Sequence, residues 1–361
     1  MIHSPSTLDE LRDVVAQCDR LHVVGGGSKP CLSGGANVST ARLDGVVEYN
    51  ACEYTVTAKA GTPLADLQRT LAEEKQYLPF DPPLAAQGAT IGGTVAAGLS
   101  GPGALRHGVL RDFLLGVRFV TGDAQVVFGG GKVVKNAAGF DFPKLMAGAL
   151  GELGVLAELT FKVFPLPGHV TTLAADFDSR QEAVAAMRRL ALSPLEPACL
   201  DLEPAGNGDG FRLFSRLAGS VDAAGPRARR AIELLGASTQ QVDDERQWSA
   251  ARDFAWLPPG HCLCKVGGRL ADLLGAVDEL DITSYRLSLA GHVLWLAWPN
   301  HRPHEELDRR LSERGLAGIA IRGGKLPPLL GRLPSNALLQ RVQSALDPQG
   351  KLSRLYAAAA S

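Results

Sequence analysis

Along the first 168 residues, apolar positions come in short runs broken by glycine, a texture that predicts small strands and few helices. Leu21-His22-Val23-Val24 is a strand closed by Gly25-Gly26-Gly27. From Glu53 to Ala60 the pattern alternates with a period of two, a second strand. Gly61-Thr62-Pro63 then opens a helix that carries Leu64, Leu67 and Leu71 on one face. Leu115 to Val120 and Ala124 to Phe128 flank Thr121-Gly122-Asp123 and predict a hairpin. A helix over Phe142 to Leu150 and a strand over Val155 to Val163 follow, and Pro165, Pro167 and Gly168 mark a boundary. At the start of the chain, Thr7 and Glu10 have the spacing of a capping box, which predicts a helix through about Gln17.

Past residue 168 the pattern changes. Strand patterns at 170–177, 198–203, 211–217, 262–267 and 293–298 interleave with helical patterns at 179–192, 226–235, 269–280 and 304–314. That predicts an α+β domain with an antiparallel sheet. A loop at Gly323-Gly324-Lys325-Leu326-Pro327-Pro328 leads to a last helix at about 335–346. Trp248, Trp256, Trp295 and Trp298 are either interface anchors or core residues.

Composition narrows the class. At roughly 150 residues per domain, 361 residues make two or three domains. Lys and Arg number 37 against 38 Asp and Glu, so the basic excess of a nucleic-acid binder is missing. The six cysteines form no CxxC; Cys262 and Cys264, the closest pair, are expected to point apart on a strand. Disulfides, zinc and iron–sulfur clusters are not expected, and a reducing cytoplasm is. Residues 1–10 carry neither the basic n-region nor the apolar h-region of an export signal. The uncharged stretch from Pro82 to Leu105 holds six Gly and three Pro, too many breakers for a lipid-spanning helix.

Candidate chemistry lies in two glycine-rich segments. Val24-Gly25-Gly26-Gly27-Ser28-Lys29-Pro30 follows a strand, and consecutive glycines let backbone N–H groups converge on an anion, with Ser28 and Lys29 as added donors. The segment is not a P-loop, since no Gly-Lys-Ser/Thr follows. As a dinucleotide fingerprint it has Gly25 and Gly27 but Pro30 in place of the third glycine; Asp44, spaced as a ribose acid would be, keeps an NAD-type reading open. The second segment, Gly88 to Gly98, lacks bulky side chains throughout, as where backbone lies flat against a large ligand or another element. Together the two segments predict a nucleotide-sized ligand.

These residues resemble the flavin domain of the vanillyl-alcohol oxidase (PCMH-type) superfamily. Gly25–Pro30 is similar to its first pyrophosphate loop and Gly88–Gly98 to its second. Lys135-Asn136-Ala137-Ala138-Gly139-Phe140-Asp141, Leu145-Met146-Ala147-Gly148 and Gly151-Glu152-Leu153-Gly154-Val155-Leu156 are similar to its closing stretch. Over Val133 to Pro167 the likeness is to the flavin-binding E subunits of bacterial glycolate oxidases. The resemblance implies a two-lobed FAD-binding domain at 1–168 and an α+β cap domain at 169–361, whose C-terminal segment packs back toward the first. It implies FAD held by the backbone of Gly25, Gly26, Gly27, Ser28 and Lys29 at the diphosphate, with Ala89, Thr90, Gly92 and Gly93 opposite. Pro79, Asp81 and Pro82 would lie along the cofactor, Gly98 and Ser100 near the ring, Arg106 on a flavin-facing loop, and Val155 at the pyrimidine edge. Ser28 stands where some relatives carry a covalently attached His, so the FAD is expected to be non-covalent.

The same resemblance implies a subunit of a 2-hydroxy-acid oxidase or dehydrogenase. It would oxidise glycolate to glyoxylate and pass electrons to a larger flavin subunit and an iron–sulfur subunit. The cytoplasm is the expected location, or the inner face of its membrane through those partners. The histidine-rich motif of catalytic relatives is not evident: His301-Arg302-Pro303-His304 is the one close pair, and no catalytic base is assigned. After Asp347-Pro348-Gln349-Gly350 the relatives' Asn-Pro-Gly is also missing. An electron-relay or structural FAD subunit and a stand-alone FAD oxidase remain the alternatives.

Overall fold

The computed structural model describes residues 2–131, 140–206, 210–236, 238–323, 326–333 and 337–358. They fall into two compact units. Residues 2–100, 108–166 and 337–358 belong to the first, residues 101–107 and 167–333 to the second. The segment Lys135 to Gly139 of the closing stretch, and Gly324 and Lys325, lie outside the described residues.

The first unit is built on a five-stranded antiparallel sheet in the order Val46–Asn50, Thr55–Lys59, Val155–Lys162, Leu114–Val120, Val126–Gly130. The hairpin expected around Thr121 is the last pair, with Thr121 Oγ1 accepting from Gln125 N (3.0 Å) to close the turn. The helix opened by Pro63 spans Leu64–Glu73, and Leu64, Leu67 and Leu71 are fully buried. Thr7 caps the helix Leu8–Gln17 by accepting from Glu10 N (3.2 Å). The return bond of the capping box is displaced by one residue: the Glu10 carboxylate accepts from Ser6 N and Oγ. The strand expected at 21–24 is reduced to Val23–Val24, paired in parallel with Val38–Ser39. The helix expected to reach Leu150 stops at Met146. Gly148, Leu150 and Gly151 take positive φ (82°, 52° and 80°), which helical continuation forbids.

Residues 337–358 close this unit. Leu352 bridges to Leu21 and joins Leu11, Val15, Val38, Val120 and Val155 in one buried cluster. Lys351 Nζ donates to the carbonyls of Val15 (3.1 Å) and Ala16 (3.2 Å), setting a cation on the free carbonyls at the end of the first helix. Asp347, 2% exposed, turns the chain by accepting from Lys351 N and Leu352 N (both 2.9 Å).

The second unit carries a nine-stranded antiparallel sheet, in the order Thr239–Val242, His169–Phe177, Phe211–Gly219, Cys199–Pro204, Tyr285–Ser288, Val293–Pro299, His261–Gly267, Ala317–Arg322, Leu329–Gly331. Helices Arg180–Ala191, Val221–Leu235, Asp244–Arg252, Leu270–Glu279 and His304–Glu313 accompany it. Of the strands not foreseen, three have only three or four residues, too few to carry the alternation, and the six-residue Ala317–Arg322 has a continuous apolar run in its place. Cys262 and Cys264, two residues apart on one strand, share a face instead of diverging; both are buried thiols outside any disulfide. No helix of the described residues is long and apolar enough to cross a membrane.

Three of the four tryptophans are core residues. Trp248, Trp295 and Trp298 are 0%, 4% and 1% exposed, which excludes them as surface anchors of this unit, and Trp256 is half-buried against Phe254. Trp248 Nε1 donates to Thr172 Oγ1 (2.7 Å), and its ring lies under the guanidinium groups of Arg216 and Arg286. Arg286, itself buried, donates to Asp201 (2.7 Å) and pairs with Glu203. Replacing Trp248 by Ala should therefore cost about 3–5 kcal/mol of stability, read as a lower denaturant midpoint; a loss below about 1 kcal/mol would mean the ring is not core.

Candidate cofactor site

The two glycine-rich segments of the first unit lie against each other. A Cβ built on Gly26 would stand 1.8 Å from the carbonyl oxygen of Gly88, and one on Gly25 would stand 2.3 Å from Thr90 Oγ1. Only hydrogen in place of a side chain allows this approach. Residues Ile91–Ala97 form a helix capped by Thr90, whose Oγ1 accepts from Gly93 N (3.2 Å). Two glycines in the first turn are poor helix formers, at about 1 kcal/mol each, and so the helix was not evident from sequence. They are needed for packing: a Cβ on Gly92 would meet the Ala60 carbonyl at 2.6 Å.

Between these segments opens a cleft of about 670 Å³, a figure that includes the open solvent at its mouth. Gly25, Gly26, Gly27, Ser28, Lys29, Gly92, Gly93 and Val155 line it, as do Thr40, Ala60, Leu150, Gly151 and Gly154. Gly151 and Gly154 belong to the closing stretch already legible in sequence, whereas Thr40 and Ala60 follow strands and carry no signal of their own.

The donors are unevenly spent. Among the described residues, none of the five successive backbone N–H groups from Gly25 to Lys29 donates to an acceptor within the protein. The second segment differs: Gly92 N donates to Ala60 O (2.8 Å), Ile91 N to Thr62 O (2.9 Å), and Gly93 N to Thr90 Oγ1. The first loop therefore supplies free donors, and the second supplies close-fitting surface. Buried backbone donors are rarely left unpaired; Ser28 and Lys29 are buried while Gly26 and Gly27 are exposed, so the run suits a guest rich in acceptor oxygens that takes the place of water at the exposed amides.

Lys29 is 7% exposed, with its ammonium donating to Ser28 Oγ (3.1 Å). Desolvation holds its pKa down at about 8. On the far wall, Glu152 stands between Gly151 and Gly154 and is 1% exposed. It accepts from Gln343 Nε2 (2.6 Å) and Tyr356 N (2.8 Å), and burial raises its pKa against those bonds. The preceding loop is tied to the helix by Gly148 N to Val95 O (2.9 Å) and Leu150 N to Ala96 O (2.8 Å).

The remaining expected residues do not line this cleft. Thr90 and Ala89 lie beneath it, Ala89 fully buried and bonded through its carbonyl to Leu64 N. Pro79, Asp81 and Pro82 flank the buried Phe80, which packs on Phe113 and Phe161. Gly98 ends the helix with φ of 60°, and Ser100 Oγ accepts from Leu110 N (2.8 Å). Arg106 belongs to the second unit, where it pairs with Glu196 (3.1 Å). Among the described residues no three His, Cys, Asp or Glu side chains gather as a metal site.

The profile of a family described as "FAD binding domain" matches residues 1–129. Glycolate oxidase subunit GlcE of Escherichia coli (strain K12) is 38% identical over 345 residues, 87% of this chain and 95% of that one. D-2-hydroxyglutarate dehydrogenase of Xanthomonas citri pv. viticola is 34% identical over 197 residues, 51% of this chain and 41% of that one. Among solved structures, alkyldihydroxyacetonephosphate synthase superposes with a TM-score of 0.72 at 15% identity, covering 97% of this chain and 76% of that one. The α+β fold is thus that of a PCMH-type, FAD-binding oxidoreductase chain. At this identity over nearly the whole of the relative's length, the chain belongs to the family of glycolate oxidase subunit GlcE.

The contact between the two segments makes a local prediction. Gly26→Ala should cost about 1–3 kcal/mol by forcing backbone from backbone, while Gly34→Ala, in open space, should stay within about 0.5 kcal/mol of the parent. Urea unfolding of both variants checks this; equal effects would contradict the packing described.

Proposed function

We propose that this chain is the FAD-binding subunit of a glycolate oxidase, oxidising glycolate to glyoxylate in a complex with a larger flavin subunit and an iron–sulfur subunit. The similarity to a GlcE chain along almost its whole length supports the assignment. The observation that carries the site is the run of unspent amides from Gly25 to Lys29 along a cleft walled on its other side by Gly92 and Gly93.

In this reading the Gly25–Lys29 amides hold the diphosphate, with Ser28 and Lys29 adding side-chain donors. Gly92 and Gly93 press from the opposite wall, and Ala60, Ala96, Ala97, Leu150 and Leu156 give the cleft its apolar surface. Val155 lies at the start of the central strand, where its main chain can meet a heterocycle edge. Thr90, Ala89, Gly98, Ser100, Pro79, Asp81 and Pro82 enter as residues that shape the two walls. When bound, FAD supplies a two-electron acceptor. The chain's part is to fix that acceptor and to place charge and donors along its phosphates. The attachment is non-covalent, with Ser28 at the position of the attached histidine. The location is the cytoplasm, free or held at the membrane's inner face by partners.

The purified chain supplied with FAD should turn yellow, and acid precipitation should leave the colour in the supernatant. A yellow pellet would overturn the non-covalent attachment, and a chain that stays colourless would overturn the function. Anaerobic glycolate should bleach the flavin of the assembled complex; no bleaching in that complex would remove glycolate as the substrate.

A further inference from the structure

Of the described residues that line the cleft, Lys29 alone is ionisable. Its ammonium reaches across to the second segment, 3.7 Å from where a Cβ on Gly93 would stand. Ionisable residues on the surrounding elements are engaged elsewhere or do not line the cleft. Glu152 is held by Gln343 and Tyr356, Glu158 pairs with Arg118 (2.9 Å), and His22 bonds Ser353 Oγ (3.1 Å). Cys31, on the short turn Pro30–Leu32, and Lys59, at the end of its strand, are not among the lining residues. A buried ammonium without a carboxylate is costly, and proteins seldom keep one unless something answers its charge.

Resting on the reading that this cleft receives the FAD diphosphate, we propose that Lys29 is the proton-linked counter-ion of the site. Its protonated amine is the one full charge that the described lining of the cleft sets against the anion, so cofactor loading and Lys29 protonation are coupled. The coupling is reciprocal: a bound diphosphate holds the proton on Lys29, and the proton on Lys29 holds the diphosphate. Without an anion the amine titrates at about 8, below its ordinary 10.5. Affinity is therefore full below pH 8 and declines above it as the charge is lost. The cofactor-free protein shows the opposite trend. Its unfolded state binds the extra proton between pH 8 and 10.5, so Lys29 adds stability as pH rises through that window.

The test uses the whole purified chain, titrated with FAD, with riboflavin and with inorganic pyrophosphate at pH 7 and pH 9.5. Flavin fluorescence reads the first two and competition with FAD reads the third. The Kd for FAD should rise about tenfold between the two pH values, the scale of one charge-assisted hydrogen bond, and pyrophosphate should follow it. Riboflavin, which has no phosphate, should show no such rise. Lys29→Met should weaken FAD binding at pH 7 by about the same factor and flatten the profile. Lys29→Arg should bind as tightly at pH 9.5 as at pH 7, and should do so even if the Met variant fails to fold. A flat profile in the parent, or a Met variant that binds FAD with the parent's pH slope, overturns the proposal and leaves the FAD reading intact. A parent chain that binds FAD at neither pH overturns the FAD reading, and this inference with it.

Discussion

The contact between the Gly26 and Gly88 backbones governs the architecture of the first unit. Neither residue presents a side chain, so two turns separated by more than sixty residues in sequence come within van der Waals range. That approach has two consequences. It leaves the amides of Gly25 to Lys29 along the cleft with no acceptor among the described residues. It also seats the helix Ile91–Ala97 against Ala60, where its first amides are consumed by the carbonyls of Ala60 and Thr62. One wall is thus electrically active and the other is not. The asymmetry follows from which amides already have acceptors, and helix polarity need not be invoked.

The opposite end of the cleft depends on residues remote in sequence. Gly151 and Gly154 line the opening, and Glu152 between them is anchored to Gln343 and Tyr356 near the C-terminus. A carboxylate buried to this degree persists only when hydrogen-bonded, so the C-terminal residues and the cleft wall stand or fall together. Asp347 and Lys351 fix the same segment to the first helix. The segment around Gln343 and Tyr356 thus braces the cleft wall from behind, although none of its described residues lines the cleft.

Long periodic elements were legible in the sequence. Leu64, Leu67 and Leu71 announced their helix, the hairpin around Thr121 declared itself, and the larger strands and most helices of the second unit stood within a few residues of their expected places. Elements of two to four residues, such as Val38–Ser39 or Thr239–Val242, are too brief to show a period. The helix at Ile91 was hidden because tertiary packing overrides the poor propensity of Gly92 and Gly93. At the site, the glycine loops and the closing stretch were visible as composition, and the resemblance carried by their order pointed to a flavin. Thr40 and Ala60 were invisible because they reach the cleft only through sheet pairing. The spent amides of Gly92 and Gly93 were equally hidden, since hydrogen-bond partners are set by three-dimensional register.

The central claim, that free amides of one glycine loop hold the anionic bridge of FAD, is tested most directly by amide hydrogen exchange with and without the cofactor. FAD should slow exchange markedly from Gly25 to Lys29 and change little at Gly92 and Gly93, whose hydrogens are already bonded. Unchanged exchange across Gly25 to Lys29 in a chain saturated with FAD would contradict the account.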